Sequence, residues 1–189
     1  HSIARDKKIH KKDKKITFVG KLNRSKGYDI YGNAITKILT EFKDWKAYSI
    51  GDEKRNKPIF EHERHYDLGY RSHKYVLKFL QKSEIAIIPS RWEEPFGRTA
   101  LEASSRACAT IISNRGGLPE TTDHCIILNK LDTKELYLAI KKLITNKKLR
   151  VSLQKGGFTN VKHLVEDNAK LIDDIRGELV ANYKVNISK

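Results

Sequence analysis

Two glutamates, Glu94 and Glu102, bracket the segment Glu94-Pro-Phe-Gly-Arg-Thr-Ala-Leu-Glu102. A carboxylate accepts hydrogen bonds, and two carboxylates facing one hollow can grip both hydroxyls of a vicinal diol. Glu94 falls in a loop after Pro89, and Gly97 lets the backbone come close to a ligand. The pattern predicts a helix from Phe96 to Ala107. Glu102 would then sit about 6 Å along the axis from Arg98, at about 1.5 Å per residue. The first N–H groups of that helix, at Gly97, Arg98 and Thr99, would point at a phosphate placed there. By spacing alone, Glu102 reads equally well as an ordinary surface position on a helix.

A second loop carries phosphate-type chemistry. Gly20-Lys21-Leu22-Asn23-Arg24-Ser25-Lys26-Gly27 sets three cations between two glycines. Lysine and arginine can hold phosphate oxygens through charge-assisted hydrogen bonds. A solvated basic turn is the plainer alternative. The loop is not a P-loop, because the Gly-Lys-Ser/Thr ending is absent. Nor is it the G-x-G-x-x-G fingerprint of dinucleotide binding.

The elements around these loops follow from hydrophobic period. Ile16 to Val19 reads as a buried strand closed by Gly20. A helix follows, carrying Ile30, Ala34, Ile35, Ile38 and Leu39. Lys46 to Ile50 reads as a strand ending at Gly51, and Tyr66 to Tyr70 as a weaker one. Ser72 can cap a helix bearing Val76, Leu77, Phe79 and Leu80. Ile85 to Ile88, Ala109 to Ser113 and Cys125 to Leu128 read as strands. Asp132 opens a helix with Leu136, Ala139, Ile140 and Leu143, and two more helices reach about Tyr183. Continuous apolar strands alternating with helices predict an α/β fold: a doubly wound, parallel, Rossmann-like sheet with helices on both faces. Such sheets bind ligands at the carboxyl ends of their strands.

The motifs, taken together, resemble those of a known family. The segment Glu94 to Ala103 resembles the E-x7-E segment of group-1, family-4 retaining glycosyltransferases of the GT-B fold. Phe18 to Gly27 looks like their first loop, and Gly116-Gly-Leu-Pro-Glu120 like their later G-G-x-P-E turn. The likeness covers about Ile16 to Ile144, the carboxyl-terminal half of that fold. It implies that Lys21 and Lys26 hold the donor diphosphate. The family usually has Arg at the Lys21 position, and Lys lacks the bidentate fork. The resemblance further implies that Glu94 contacts the transferred sugar and that Glu102 binds the ribose hydroxyls. Phe96, Gly97, Arg98 and Thr99 would form the phosphate cradle, with Gly20 beside it and Tyr70 and Arg71 in the loop that meets the base. Ala109 departs from a Gly common before the next strand. The implied substrate is a UDP-, GDP- or ADP-sugar, with no cofactor and no metal. The implied partners are an acceptor sugar or lipid-linked glycan and an amino-terminal acceptor domain. Surface polysaccharide or lipopolysaccharide synthesis would be the setting. Relatives that make glycogen or sucrose, and sugar epimerases, share the fold.

Composition sets the remaining bounds. The 189 residues include 39% hydrophobic ones and carry a net charge of +15. That suits one domain with a true core. The expected organisation is a basic arm or linker over 1–15 and a nucleotide-sugar-binding domain over 16–189. The sequence contains no Met, and with the missing amino-terminal domain this reads as a fragment with little transferase activity of its own. The charge and the arm favour, as the alternative, a nucleic-acid or anionic-surface binding module. No nucleic-acid motif or aromatic-rich basic stripe supports that, so no nucleic-acid partner is expected. Cys108 and Cys125 lack metal-ligand spacing and read as free thiols in a reducing, cytoplasmic setting. No signal peptide or membrane-span pattern is present, and the Lys-rich surface allows peripheral contact with anionic lipid. Trp92 reads as a structural aromatic. His10, His62, His65, His73, His124 and His163 have no evident partner.

Overall fold

A computed structural model of the chain describes residues 6, 8–161 and 165–187. Among these, six strands form one all-parallel sheet in the order β3-β2-β1-β4-β5-β6. The strands are β1 (Asp13–Val19), β2 (Lys46–Ile50), β3 (His65–Asp67), β4 (Ser83–Ile88), β5 (Ala109–Ser113) and β6 (Cys125–Leu128). The helices are α1 (Tyr28–Glu41), α2 (His73–Leu80), α3 (Arg98–Ser105), α4 (Thr133–Thr145), α5 (Lys147–Thr159) and α6 (Val165–Ile187).

Side chains alternate across a strand, so a strand buried on both faces feeds two cores. Ile85 and Ile87 of β4 pack with Ile16, Phe18 and Ile111 beneath α1 and α4. Ala86 and Ile88 pack with Ile50, Ile112 and residues of α2 and α3 on the opposite face. Burying each large aliphatic side chain contributes about 1.5–3 kcal/mol. Caps set several helix starts. Ser72 Oγ accepts from Tyr75 N–H at α2, and Asp132 Oδ1 accepts from Glu135 N–H at α4. The Glu135 carboxylate turns instead to the N–H groups of Asn129 and Lys130. The α5 helix is tied back to the centre of the sheet. Glu84 Oε2 accepts from Arg150 Nε at 2.9 Å and from Gln154 Nε2 at 2.8 Å.

Several boundaries differ from the sequence expectation. β1 starts at Asp13, not Ile16, and its first residue registers against Ser83 of β4. The basic segment before it is anchored where it is described: Lys12 Nζ donates to the carbonyls of Leu80 and Arg106, and Asp6 accepts from Gln81 Nε2. Residues 1–5 and 7 of the expected arm lie outside the described residues, as does His163. β3 covers His65–Asp67 rather than Tyr66 to Tyr70, because the chain turns at once: Asp67 Oδ1 accepts from Gly69 N–H, and Gly69 has φ 64°. α3 begins at Arg98, since Gly97 is left-handed with φ 77°. The strained position before β5 is Ala107, with φ 56°, whereas Ala109 lies in regular strand. Both cysteines are free. Among the described residues, no helix is long and apolar enough to cross a membrane.

An aromatic cluster of Phe18, Tyr28, Tyr31, Phe60 and His65 fills the space between α1 and the β2–β3 edge. Burial pushes the Tyr28 hydroxyl up to about 12 and the His65 imidazole down to about 4. An unfolded chain would take up a proton at His65 near pH 6.5, so this site withdraws stability as pH falls from there toward 4. We expect His65→Gln to lose less stability than the parent chain between pH 7 and pH 5, by about 2 kcal/mol at most. Urea denaturation at the two pH values measures this.

Candidate active site

The sheet fixes where a site can form. From β1 the chain goes on to β2 on one side, while β4 on the other side leads to β5. The loops after β1 and β4 therefore diverge and leave a crevice at the topological switch point. Those loops are the two singled out by residue type.

The first loop is shaped by its glycines and by Asn23. Gly20 N–H donates to Ile50 O at 3.0 Å, and buried Leu22 pins the loop from below. Asn23 Oδ1 accepts from Lys26 N–H and caps a short 3-10 turn over Arg24–Lys26. Gly27 then takes φ 72°, and a Cβ there would lie 1.9 Å from Pro89 O. Only glycine lets the first loop press so closely on the second.

The second loop is held on several sides. Ser25 O accepts from the N–H groups of Arg91 and Trp92, and Ser113 Oγ donates to Ser90 O at 2.6 Å. Arg91 makes a fork of two hydrogen bonds to Asp29, at 2.7 and 2.8 Å. Burial alone would raise the Asp29 carboxyl, but Arg91 outweighs it and holds the group below its ordinary range. The Gly116-Gly-Leu-Pro-Glu120 turn braces the far side. Gly117 N–H donates to Glu94 O at 2.7 Å, and a Cβ on Gly116 would lie 2.3 Å from the same oxygen.

Between the loops lies a cavity of about 120 Å³. Gly20, Lys26, Ser90, Glu94, Gly97, Arg98, Thr99 and Leu118 line it, with Phe18, Val19 and Ile88 at its floor. Lys26 Nζ meets Glu94 Oε1 at 2.5 Å. No side chain caps the amino end of α3, so its first N–H groups remain available to an anion. The site thus pairs a cation with a helix amino end, and Glu94 holds the cation in place. An incoming phosphate would have to take Lys26 from Glu94.

Six of the residues expected from sequence share this cavity: Gly20, Lys26, Glu94, Gly97, Arg98 and Thr99. The others do not line it. Lys21 is exposed on the loop's outer side, where its charge is felt by Glu53. Phe96 packs against Leu101 and Val161. Tyr70 is 73% exposed, and Arg71 lies over the Tyr75 ring rather than toward the cavity. Glu102 is buried behind the cavity wall, and its Oε1 accepts from Arg98 Nε and pairs with His73 Nε2, each at 2.8 Å. Trp92 is 60% exposed and is not a packed structural aromatic. Sequence reasoning missed Ser90, Leu118 and the His73 contact. The only available signal for His73 was its place just after the Ser72 cap, which aims α2's first turn at α3.

Residues 2–159 match the family of glycosyl transferases group 1. The chain belongs to that family. A 42.6 kDa protein of the cps region of Klebsiella pneumoniae is 30% identical over 112 residues, covering 57% of this chain and 28% of that protein. The chain spans well under half the length of the curated relatives it matches. Among solved structures, the C-terminal domain of the group 1 glycosyltransferase LpcC from Francisella tularensis superposes with a TM-score of 0.72. That likeness has 20% identity and covers 82% of this chain and 89% of the other. Anabaena HepE in complex with UDP-glucose superposes with a TM-score of 0.75 at 16% identity, over 88% of this chain and 49% of the other. The six-stranded parallel sheet is therefore that of a GT-B glycosyltransferase domain.

In this group 1 domain the two loops can be tested through their contact. Gly27→Ala places a Cβ against Pro89 O in a left-handed backbone. We expect a loss of at least about 2 kcal/mol, since the left-handed conformation alone costs about 1–2 kcal/mol. Thermal unfolding followed by circular dichroism reads it. Gly69→Ala, with nothing within 4 Å of its Cβ, isolates the backbone part of the cost.

Proposed function

We propose that this chain is the donor-binding domain of a retaining glycosyltransferase, and that its cavity takes the diphosphate of a UDP-, GDP- or ADP-sugar. The observation that carries the reading is the convergence of Lys26, Glu94 and the uncapped amino end of α3 on one hollow at the switch point of a group 1 domain. When the glycosidic bond breaks, negative charge grows on the leaving diphosphate. Lys26 and the α3 dipole oppose that charge, and donors fixed in advance cost no reorganisation during reaction. Lys21, exposed on the same loop, adds positive charge near the site without lining the cavity. Glu94 orients the transferred sugar beside the reacting carbon. Attack comes from the same face as the leaving group, with a donor phosphate taking the acceptor's proton. Glu102 serves the ribose through Oε2, since both of its contacts fall on Oε1.

No resident metal is part of the proposal. The charge chemistry is assigned to Lys26 and α3.

At about 120 Å³ the cavity is smaller than the ~300–1,000 Å³ clefts that enclose drug-sized ligands. It suits part of a sugar nucleotide, and the rest would lie across an open cleft. An amino-terminal acceptor domain would close that cleft, consistent with relatives more than twice this chain's length. Exposed Leu171, Ile172, Ile175 and Leu179 along α6 give that domain an apolar surface to meet. Without it, the 189-residue chain binds nucleotide weakly and transfers little sugar. The proposed setting is cytoplasmic surface-polysaccharide or lipopolysaccharide synthesis, with a lipid-linked acceptor at an anionic membrane face. The similarity to a cps-region protein supports it.

Calorimetric titration with UDP, GDP and ADP tests the reading. We expect heat with at least one, and at least tenfold weaker binding of that nucleotide by Lys26→Ala. No heat with any of the three on folded protein would contradict the proposal.

A further inference from the structure

Lys26 and Arg24 leave the same short turn in different directions. At about three residues per turn, side chains two positions apart project some 240° around the axis. Lys26 enters the donor cavity, whereas Arg24 reaches two open hollows on the far side of the turn. One, of about 620 Å³, is lined by Arg24, Arg55 and Lys57 among others. The second, of about 440 Å³, is lined by Arg24, Asp29, Arg91 and Trp92. Arg24 and Ser25 line both hollows, so the two adjoin along the turn, and together they make up a groove.

The groove is unevenly charged. Arg91 is satisfied by Asp29, and Lys57 pairs with Asp67. Glu53 accepts from the Asn23 amide and the Arg55 backbone N–H. The guanidinium groups of Arg24 and Arg55 have no carboxylate partner among the described residues. They are two fork-shaped donors on one hollow, suited to a carboxylate or phosphate. Trp92 supplies the complementary feature. Its N–H donates to Ser25 O and Ser90 Oγ, both at 3.2 Å, so the backbone is fixed and the ring stands out 60% exposed. A flat apolar ring held in water beside cations matches a sugar's C–H face next to an acidic substituent.

We propose that this groove is a subsite for an acidic acceptor saccharide. One pyranose stacks on Trp92 with its carboxylate or phosphate group held by Arg24, which lines the same hollow, and Arg55 meets the acidic group of the next unit in the adjoining one. The inference rests on reading the neighbouring cavity as the donor site, and it names the acceptor's chemical class. The Arg24–Lys26 turn separates the two, so the groove would hold a unit of the acceptor remote from the reacting hydroxyl, and the saccharide would pass over the turn to bring that hydroxyl to the donor cavity. A single exposed aromatic favours one stacked ring over the successive platforms that bind single-stranded nucleic acid.

The chain has two tryptophans, and Trp45 is buried, so shielding of fluorescence from acrylamide reports Trp92. Tetragalacturonate and a phosphorylated oligosaccharide test the two acidic groups; maltotetraose and oligodeoxythymidine are the comparisons. We expect shielding by at least one acidic saccharide, at least tenfold weaker with maltotetraose. Arg24→Ala/Arg55→Ala should weaken it at least tenfold, and Trp92→Ala should remove saccharide binding by calorimetry. Binding of whichever of UDP, GDP and ADP the parent chain takes should stay within twofold in both variants. Equal binding of the neutral sugar, no effect of the arginine substitutions, or equal shielding by oligodeoxythymidine would overturn the proposal. Absence of binding of UDP, GDP and ADP alike to the parent chain would sink the donor reading instead, and acidic-saccharide shielding would still support the groove.

Discussion

The adjacency of β1 and β4 at the centre of the sheet is the constraint on which the site depends. Parallel pairing sets Ile16, Thr17 and Phe18 beside Ile85, Ala86 and Ile87. The two strands therefore release their following loops at one level and side by side. Gly27 then lets those loops touch backbone to backbone, and a side chain there would force them apart. Everything with chemical potential hangs from this contact: Lys26 one residue before it, Glu94 a few residues beyond Pro89, and α3 after that. The Gly116-Gly117 turn closes the arrangement from behind. The glycine-rich motifs thus act mainly by letting loops approach each other, and the charged residues are carried into place by that approach.

The electrostatics of the site follow the same plan. Lys26 rests on Glu94 and Arg98 on Glu102, so each cation near the cavity is held by a carboxylate from the E-x7-E segment. Long cationic side chains carry substantial rotamer entropy, and holding them in place before a ligand arrives reduces what binding must overcome. The arrangement also explains why the two glutamates need different surroundings. Glu94 sits at the cavity, and in the proposed reading it exchanges Lys26 for a sugar hydroxyl. Glu102 is buried and fixed by α2 and α3 together, through His73 and Arg98 on its Oε1.

Much of the fold was legible because its central strands are apolar without interruption. Ile85 to Ile88 and Ala109 to Ser113 leave no other reading once helices flank them. The start of β1 was not legible: Asp13, Lys14 and Lys15 look like solvated chain, and only pairing with β2 and β4 makes them strand. β3 slipped for a similar reason, since an Asp67–Gly69 turn overrides the weak apolar signal of Leu68 and Tyr70. At the site, the residues that reach the cavity are those whose loop position is fixed by glycine or by a helix start. Lys21, Tyr70 and Arg71 share the chemistry but not the constraint, and they point to solvent. The exposure of Trp92 was not legible: tryptophan is usually buried, and here Ser25 and Ser90 hold its backbone so that the ring stands in the open. His73 needed three-dimensional knowledge of how α2 meets α3.

The central claim is that a diphosphate docks on the amino end of α3 with Lys26 beside it. Amide chemical-shift mapping of the nitrogen-15-labelled chain, titrated with a sugar nucleotide, tests it most directly. The account predicts that the largest shifts fall on Gly97, Arg98 and Thr99, with the Lys26 loop moving in step. Saturable shifts centred elsewhere on the sheet's carboxyl edge, leaving those three amides unmoved, would contradict it.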